Sequence, residues 1–214
     1  LFWVKQQVYK RLNKIAARKS KKIITPSDYV KQDVADFAHI NPDKIIVTYE
    51  AADAIPAKPE PVTGLEQAPF IMYVGRPMPH KNLPRLIEAF QELKKARPGL
   101  KLVLAGKKDI LYENIERDVQ QKGITDVVFT DFVSEGQLRW LYEHCTAYIF
   151  PSLSEGFGLP GLEAMIHGAP VVSSNATCLP EIYGHAAHYF DPTNVDEMAA
   201  KIGEVLDSPD LRTK

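Results

Sequence analysis

Two cations stand within one short turn of the sequence, where they could bind an anion. The turn, residues 75–82, contains Gly75, two prolines, Arg76 and Lys81, and it leads from an apolar run into a helical pattern. A guanidinium offers paired hydrogen bonds to phosphate oxygens, and an ammonium adds a movable point charge. The N-terminus of the following helix favours the same anion. The alternative interpretation is that both side chains are ordinary surface charges on an exposed turn.

A second segment carries two carboxylates, Glu155 and Glu163. Glycines at 156, 158 and 161 expose backbone N–H groups before a helix and form an anion-binding nest. Pro160 suits the first turn of that helix, and Gly168 is expected to end it. Since helical side chains point back toward the N-terminus, both carboxylates can border one cleft. A lone glutamate on a helix is ordinarily solvated, but the apolar neighbours of Glu163 argue against that interpretation.

The same glycines raise the alternative of an NAD-dependent enzyme. The string Gly156-x-Gly158-x-x-Gly161 matches the dinucleotide-binding fingerprint, but that fingerprint belongs on the first βα turn of a sheet, and this one comes late. The next predicted strand, 171–173, leads into Ser and Asn rather than into the acid that holds a ribose. Glu181 has about the expected offset but lies beyond that strand. We therefore rank an NAD-dependent enzyme well below a sugar-nucleotide-binding protein.

Short apolar runs alternate with amphipathic segments from residue 22 onward. The runs predict strands at 23–25, 45–48, 70–74, 100–105, 127–129, 147–150, 171–173 and 188–190. The amphipathic segments predict helices near 27–37, 82–96, 111–122, 134–144, 159–167 and 194–206. Strands that are apolar throughout form parallel sheets covered by helices. We therefore predict an α/β, doubly wound, Rossmann-like parallel sheet that binds ligands outside the carboxyl ends of its strands.

Residues 51–69 interrupt this alternation. Their prolines cannot donate backbone hydrogen bonds, and the stretch has no period. We interpret it as a hinge or linker between a remnant of an N-terminal domain, residues 1–50, and a nearly whole nucleotide-sugar-binding domain, residues 70–214. The chain begins with Leu1 and stops just after an amphipathic pattern. We expect a piece of a longer protein, truncated at the C-terminus of its second domain.

Composition excludes several classes of protein. Hydrophobic residues make up 45% and charged residues 25% of the chain, as in a soluble globular protein. No apolar stretch approaches the roughly 18 residues of a membrane span, and no signal peptide opens the chain. Cys145 and Cys178 are too few for a disulfide framework and lack metal-ligand spacing. We expect both to be reduced and buried, in a cytoplasmic protein.

The charge of the chain is unevenly distributed. Residues 1–24 carry eight Lys or Arg and no acid, and the rest carries 18 basic against 27 acidic side chains. Val4, Val8, Leu12 and Ile15 recur at helical spacing among these charges. Such a helix either docks on the protein with a solvated outer face or lies on an anionic membrane surface, at the inner face of a membrane. Nucleic-acid binding is disfavoured, because the acidic remainder would repel phosphates.

Together these segments resemble the retaining glycosyltransferases of family 4, the glycosyl transferases group 1, which have the two-domain GT-B fold. The most specific match is the E-x7-E motif from Glu155 to Glu163. Shorter matches follow in the family's order: Val74-Gly75-Arg76 with Lys81-Asn82, Ala105-Gly106, Phe132-Val133 with Leu138, Pro170-Val171-Val172 and Leu179-Pro180-Glu181. The resemblance covers nearly the whole chain and identifies residues 70–214 as the C-terminal, donor-binding domain.

The resemblance implies a role for each matching residue. Arg76 and Lys81, beside Gly75, match the pair that grips the donor diphosphate, and Glu163 matches the carboxylate on the ribose hydroxyls. Glu155 matches the carboxylate beside the transferred sugar, where we expect positioning and electrostatic support rather than covalent catalysis. The backbone of four further residues matches the part of the family's site that faces sugar and phosphate: Gly156, Phe157, Gly158 and Leu159. The remaining donor-binding matches are Gly106, Val133 and Leu138, and the first two of these lie in loops that flank the base.

The chain also departs from the family's pattern. Lys107-Lys108-Asp109 replaces a glycine-rich continuation, Asp131 stands where glycine is frequent, and Glu50-Ala51-Ala52-Asp53 replaces Asn-Gly-Val-Asp. The first two departures leave the base of the donor open. His167 lies one helical turn after Glu163, and we expect the two to pair.

The expected reaction is transfer of a hexose with retention onto a glycan or lipid-linked acceptor. Mannose from GDP-mannose is the leading donor, and a UDP-linked sugar is the other. Fixed cations and a helix N-terminus stabilise the charge that grows on the leaving phosphate, so no metal and no further cofactor are expected. The alternatives are a non-catalytic sugar-nucleotide-binding module and, below it, an NAD enzyme. As a piece, the chain alone is expected to bind donor without transferring sugar.

Overall fold

The computed structural model describes residues 2–212, and the chain divides into two compact units after Glu50. The first unit contains α1 (Phe2–Lys19), β1 (Ile23–Thr25), α2 (Asp28–Ala38), a 3-10 turn (Pro42–Lys44) and β2 (Ile45–Val47). Strands β1 and β2 pair in parallel. The predicted basic helix is α1, and none of its described residues is buried. No helix between residues 2 and 212 is long and apolar enough to cross a bilayer.

The second unit is built on six parallel strands. They are β3 (Phe70–Val74), β4 (Lys101–Ala105), β5 (Val127–Phe129), β6 (Ala147–Phe150), β7 (Val171–Ser174) and β8 (Ala187–Phe190). Their order across the sheet is β5-β4-β3-β6-β7-β8, and every neighbouring pair is parallel. The strand order reverses between β3 and β6, which makes that boundary the topological switch point. The predicted doubly wound, Rossmann-like sheet is confirmed.

Helices connect and cover these strands. They are α3 (Leu83–Ala96), α4 (Ile110–Gln121), α5 (Glu135–His144), α6 (Leu159–Ile166), α7 (Leu179–Tyr183), α8 (Val195–Asp207) and α9 (Pro209–Arg212). Side chains fix where three of them begin: Asp109 caps α4, Ser134 forms a capping box with Gln137 at α5, and Asn194 caps α8. Every predicted strand and helix lies within one residue of its observed bounds. The short helices α7 and α9 were not predicted.

The core lies on both faces of the central strands. Strands β3, β4 and β6 are buried along almost their whole length, as central parallel strands covered by helices must be. Five buried tyrosines belong to this core: Tyr73, Tyr112, Tyr142, Tyr148 and Tyr183. A buried phenol ordinarily finds a hydrogen-bond partner. Four of these hydroxyl groups have one, and that of Tyr148 has none among the described residues.

Residues 51–69 contain no helix or strand, and they lie with the second unit. One guanidinium nitrogen of Arg139, on α5, donates hydrogen bonds to the carbonyls of Ile55 and Ala57, each at 3.2 Å. The Glu60 N–H donates to the Gly136 carbonyl at 3.0 Å. The segment thus runs along α5, held by hydrogen bonds. Its function as a hinge, and residues 1–50 as a domain remnant, stay predictions.

Candidate functional site

The loops after β3 and β6 are joined at the switch point. The Leu153 N–H donates to the His80 carbonyl at 2.7 Å. The buried side-chain amide of Asn82 donates to the carbonyls of Pro151 and Pro192, at 3.0 and 2.7 Å. Asn82 has a φ of 61° between a 3-10 turn and α3. These bonds hold the two segments that the sequence singled out side by side.

Lys81 and Glu155 form an ion pair across this boundary. The Lys81 Nζ lies 2.6 Å from Glu155 Oε1, and the two side chains are only 20% and 13% exposed. The ammonium also lies 5.7 Å from the centre of the Phe150 ring. A largely desolvated charge needs an opposite charge or hydrogen bonds to be tolerated. An ammonium has three donors and a carboxylate two oxygens, so each group keeps bonding capacity for a ligand.

Arg76 is held by a different acid. Its Nε donates to Asp109 Oδ2 at 2.8 Å, and its side chain is 66% exposed. Desolvation would raise the pKa of Asp109, but hydrogen bonds from Arg76 and from the backbone of Tyr112 and Leu111 hold that pKa below its ordinary value. Asp109 therefore stays charged while it caps α4. The two residues predicted to bind phosphate are therefore held from opposite sides: Arg76 by the loop after β4, and Lys81 by the loop after β6.

Gly75 and Gly106 bring the ends of β3 and β4 into contact. A Cβ on Gly106 would lie 2.7 Å from the Gly75 carbonyl oxygen, so the close approach requires glycine. The Tyr112 hydroxyl donates to the same carbonyl at 2.7 Å, and the Gly75 N–H donates to the Ala105 carbonyl at 2.9 Å. The backbone beside Arg76 is therefore fixed by hydrogen bonds, and neither glycine adds a side chain of its own there.

Tyr183 shapes the N-terminus of α6. Gly158 precedes the helix at a φ of 109°, Leu159 begins it, and no side chain caps it. The Tyr183 hydroxyl donates to the Gly158 carbonyl at 2.6 Å. Its ring leaves room only for glycine at 161, where a Cβ would lie 2.3 Å from the phenol oxygen. Pro160 has no N–H, and the Gly161 N–H donates to the Gly158 carbonyl at 3.1 Å. This N-terminus therefore offers a ligand the Leu159 N–H and the partial positive charge of the helix.

The loop of Glu155 is tied to the end of β7. The Glu155 N–H donates to Thr177 Oγ1 at 3.0 Å. The Cys178 thiol donates to the carbonyls of Glu155 and Phe157, at 3.3 and 3.4 Å. Burial raises the pKa of Cys178 to about 11, so the thiol keeps its proton and remains a donor. Phe157 is buried and Gly156 is exposed. Both cysteines of the chain are free and buried, as predicted.

Glu163 lies on α6, and its Oε2 accepts a hydrogen bond of 3.2 Å from the Tyr142 hydroxyl. Its predicted pairing with His167 is wrong. The His167 Nε2 instead accepts from the Ile55 N–H at 3.1 Å, and its Nδ1 lies 3.9 Å from Glu143 Oε1. The side chain of His167 is only 5% exposed. Helical spacing permits an i,i+4 pair, but here residues 51–69 packing along α5 supply the partner.

The two departures from the family pattern near the predicted base loops are bonded to each other. The Lys108 N–H donates to Asp131 Oδ1 at 2.7 Å, and Asp131 has a φ of 58°. Aspartate tolerates this left-handed conformation better than most residues, which explains how it replaces glycine. Val133 and Leu138 are partly buried and pack against the core. The bond therefore ties the loop after β4 to the loop after β5.

The predicted site residues follow one edge of the sheet in a fixed order. Val133 follows β5, Gly106 follows β4, Arg76 follows β3 and Glu155 follows β6, and these four strands are adjacent in that order. Because the strands are parallel, all four loops leave the same edge. The fold thus lines up the loops after β5 and β4, two cations and a glycine-rich helix N-terminus.

Residues 57–214 match the family model of the glycosyl transferases group 1. The chain belongs to this family. O-antigen chain mannosyltransferase B of Escherichia coli is 34% identical to it over 206 residues, which cover 90% of this chain and 53% of that protein. An MMP α-(1→4)-mannosyltransferase of Mycolicibacterium hassiacum is 32% identical over 205 residues, 92% of this chain and 48% of that protein. The chain spans about half the length of these relatives.

A solved structure has the same fold. The Anabaena protein Alr3699/HepE, in complex with UDP and glucose, superposes with a TM-score of 0.81 at 20% identity over 97% of this chain and 60% of that one. The fold of this group 1 chain is that of the GT-B glycosyltransferases, as predicted. Its glycine string follows β6, not the first strand of the sheet, and Glu181 lies on α7 rather than at the end of β7.

Several residues that shape this group 1 site escaped the sequence analysis. Asp109 had a usable signal, because Asp before an amphipathic run is a typical helix cap. Tyr142, Tyr183 and Thr177 had none, since a tyrosine in an apolar run is indistinguishable from core and a lone Thr from a turn. Within residues 2–212, no three His, Cys, Asp or Glu side chains form a group that could hold a metal ion.

Proposed function

We propose that residues 51–214 bind a nucleotide-sugar donor, and that the whole protein transfers a hexose with retention onto a glycan or lipid-linked acceptor. Mannose from GDP-mannose is the proposed donor group. The observation that carries this proposal is the Lys81–Glu155 ion pair at the switch point, beside the uncapped N-terminus of α6. A cation, a carboxylate and a helix N-terminus at one point suit a phosphate joined to a hydroxyl-rich sugar.

The order of the loops along the sheet edge supports the proposal. A nucleotide sugar consists of a base, a ribose, a diphosphate and a sugar, in that order. The loops of Val133 and Gly106 would flank the base, Arg76 and Lys81 the diphosphate, and Glu155 the sugar. Each position matches the chemistry it would face, because the cations lie where the phosphates would be and the carboxylate where hydroxyl groups would donate.

The residues of the site suit departure of a nucleoside diphosphate. When the bond between sugar and phosphate breaks, negative charge grows on the leaving oxygen. Lys81, Arg76 and the N-terminus of α6 would stabilise that charge from fixed positions. Arg76 uses one N–H for Asp109 and keeps four donors for phosphate oxygens. We propose that these groups suffice without a metal or other cofactor.

Glu155 would position the sugar rather than attack it. One of its oxygens already accepts a hydrogen bond from Lys81, which lowers its nucleophilicity, while the other oxygen can accept from a sugar hydroxyl. The departing phosphate would serve as the base that takes the proton of the acceptor. This assignment fits retention by attack on the same face as the leaving group.

The sugar and the setting are proposed from the relatives and from α1. Both relatives described above are named mannosyltransferases, and one is named for an O-antigen chain, which favours mannose and a glycan acceptor. We propose that the protein acts in the cytoplasm. Helix α1 combines exposed apolar residues with Lys and Arg, so peripheral contact with an anionic membrane is one interpretation and docking on other protein surface is the alternative.

Calorimetric titration with GDP, UDP, ADP and NAD tests the donor proposal. We expect GDP to bind at least about tenfold more tightly than NAD, since NAD lacks a terminal phosphate for Lys81. Tightest binding of NAD, or no binding of any nucleoside diphosphate, would overturn it. Incubating the full-length protein with GDP-mannose, candidate glycan or lipid-linked acceptors and EDTA then tests transfer, and the anomeric configuration of the product, read by NMR, tests retention.

A further inference from the structure

Tyr142 lies outside the E-x7-E motif but donates a hydrogen bond to one of its two glutamates, Glu163. It lies on α5, is fully buried, and its hydroxyl donates to Glu163 Oε2 on α6 at 3.2 Å. Burial and then the charge of Glu163 raise the pKa of Tyr142 above its ordinary value, so the phenol stays protonated and can only donate to the carboxylate. Glu163 is thus a partly buried acid with one oxygen fixed and the other available.

The ring of Tyr142 is itself held from behind. The imidazole of His167 is parallel to it within 1°, with ring centres 5.9 Å apart. The His167 Nε2 accepts from the Ile55 N–H, which places the imidazole proton on Nδ1, 3.9 Å from Glu143 Oε1. Tyr148 packs edge-on against Tyr142, with ring centres 5.8 Å apart. The two contacts restrain the ring that carries the hydroxyl group.

We propose that Tyr142 is a positioning residue that fixes the Glu163 carboxylate and thereby makes the site selective for a ribonucleotide over a 2′-deoxyribonucleotide. The inference rests on the proposed function, in which Glu163 accepts hydrogen bonds from the ribose hydroxyls. Tyr142 touches no part of the donor and acts only through Glu163.

The physical reason is preorganisation of an acceptor. A carboxylate at the end of a glutamate side chain rotates freely unless a partner fixes its plane, and freezing that rotation on binding costs affinity. Tyr142 fixes it beforehand. A ligand without the 2′-hydroxyl then leaves a partly buried, oriented oxygen unpaired, and sites built to bond a hydroxyl reject ligands that lack it. Without Tyr142 the carboxylate can turn away, and the penalty for the missing hydroxyl shrinks.

The test is the ratio of affinities for GDP and 2′-deoxy-GDP, measured by calorimetry in four proteins and one control variant. They are the parent chain, Tyr142→Phe, Glu163→Gln and the double variant. Tyr148→Phe is the matched control, because the Tyr148 hydroxyl is equally buried beside the same ring and has no hydrogen-bond partner among the described residues. UDP and 2′-deoxy-UDP form a second ligand pair in case the site prefers uracil. The ratio is insensitive to partial unfolding, since a loss of folded protein scales both affinities alike.

We expect Tyr142→Phe to lower the ratio by about threefold to tenfold, Tyr148→Phe to leave it unchanged, and Tyr142→Phe to add nothing once Glu163 is Gln. An unchanged ratio in Tyr142→Phe, with the ratio still lost in Glu163→Gln, would overturn the role of Tyr142 and leave the ribose assignment standing. A parent chain that binds GDP but does not distinguish it from 2′-deoxy-GDP would overturn the ribose assignment of Glu163 and this inference with it.

Discussion

Lys81 and Glu155 are 74 positions apart in the sequence, yet their charged atoms lie 2.6 Å apart. The pair joins the loops that follow the two central strands of the sheet. Both side chains are mostly buried, so each charge is tolerated largely because the other is present. A ligand that enters must therefore share these charges rather than meet them free, and this relationship underlies the first two predictions.

Removing both cations should abolish most nucleotide affinity. Hydrogen bonds to charged groups are worth about 1.5–3 kcal/mol each, so Arg76→Ala with Lys81→Ala should weaken GDP or UDP binding by about a hundredfold or more, measured by calorimetry. The control is Lys95→Ala, whose side chain is 72% exposed and pairs with Glu92 on the surface of α3. A double variant that binds within a few fold of the parent would show that the phosphates lie elsewhere.

The two motif glutamates should separate by ligand. Glu155→Gln should leave GDP affinity equal or higher, because Lys81 is released from its partner, while GDP-mannose loses its advantage over GDP. Glu163→Gln should weaken both ligands by a similar factor, about tenfold, since both carry the ribose. Titrating each variant with GDP and with GDP-mannose measures these differences. The division of roles is wrong if both variants lose the same factor for both ligands.

Asp109→Asn should separate the helix cap from the ion pair. Asparagine caps a helix as well as aspartate, so α4 should begin at the same place and the thermal unfolding temperature should stay near that of the parent. Arg76 loses the charged partner that orients it, and we expect nucleotide affinity to fall by about threefold to tenfold. Unchanged affinity, or an equal loss in an Arg76→Ala background, would show that Asp109 does not act through Arg76.

Gly161→Ala should disrupt the N-terminus of α6. The added Cβ would lie 2.3 Å from the Tyr183 hydroxyl oxygen and 2.5 Å from its ring carbon, so the ring or the helix must move. We expect a loss of about 1–3 kcal/mol in the free energy of unfolding and weaker GDP binding. Gly99→Ala is the matched control, since its Cβ would meet nothing within 4 Å. Equal stability of the two variants would contradict the packing of Tyr183 against α6.

Asp126→Asn should give a stability difference that disappears in acid. Hydrogen bonds from Lys94 and, less, from Thr125 hold the pKa of Asp126 below its ordinary value. A depressed folded-state pKa stabilises the fold above the unfolded value, near 3.9, and that contribution is lost as the pH falls through the folded value. Asparagine also tolerates the φ of 63° at this position, so backbone strain stays constant. Thermal unfolding from pH 3 to pH 7 should show a gap that is constant above about pH 5 and closes below pH 4. A gap that does not narrow at all between pH 5 and pH 3 would point to a cause other than charge.

The sequence by itself determined the elements and the site-bearing segments. Strand β3 is apolar in every residue, and α6 has Pro160 in its first turn and Gly168 after its end. Each of these features affects only the backbone within a few residues of it. Backbone hydrogen bonding, side-chain periodicity and the limits of proline and glycine are local effects, so the bounds could be predicted within one residue. The rule that ligands bind at the carboxyl ends of parallel strands then indicated the loops after β3 and β6 as the candidate site.

Only the tertiary structure decided which side chains meet there. Arg76 bonds to Asp109 and Lys81 to Glu155 because β4 and β6 lie on either side of β3, an order fixed by the crossovers. Glu163 accepts a hydrogen bond from Tyr142 on α5 rather than pairing with His167. The imidazole of His167 instead accepts a hydrogen bond from the backbone of Ile55, in residues 51–69. Such pairings depend on how elements far apart in the chain bury their apolar surfaces together. The residues that adjoin a side chain in the sequence do not indicate which distant element will pack against it.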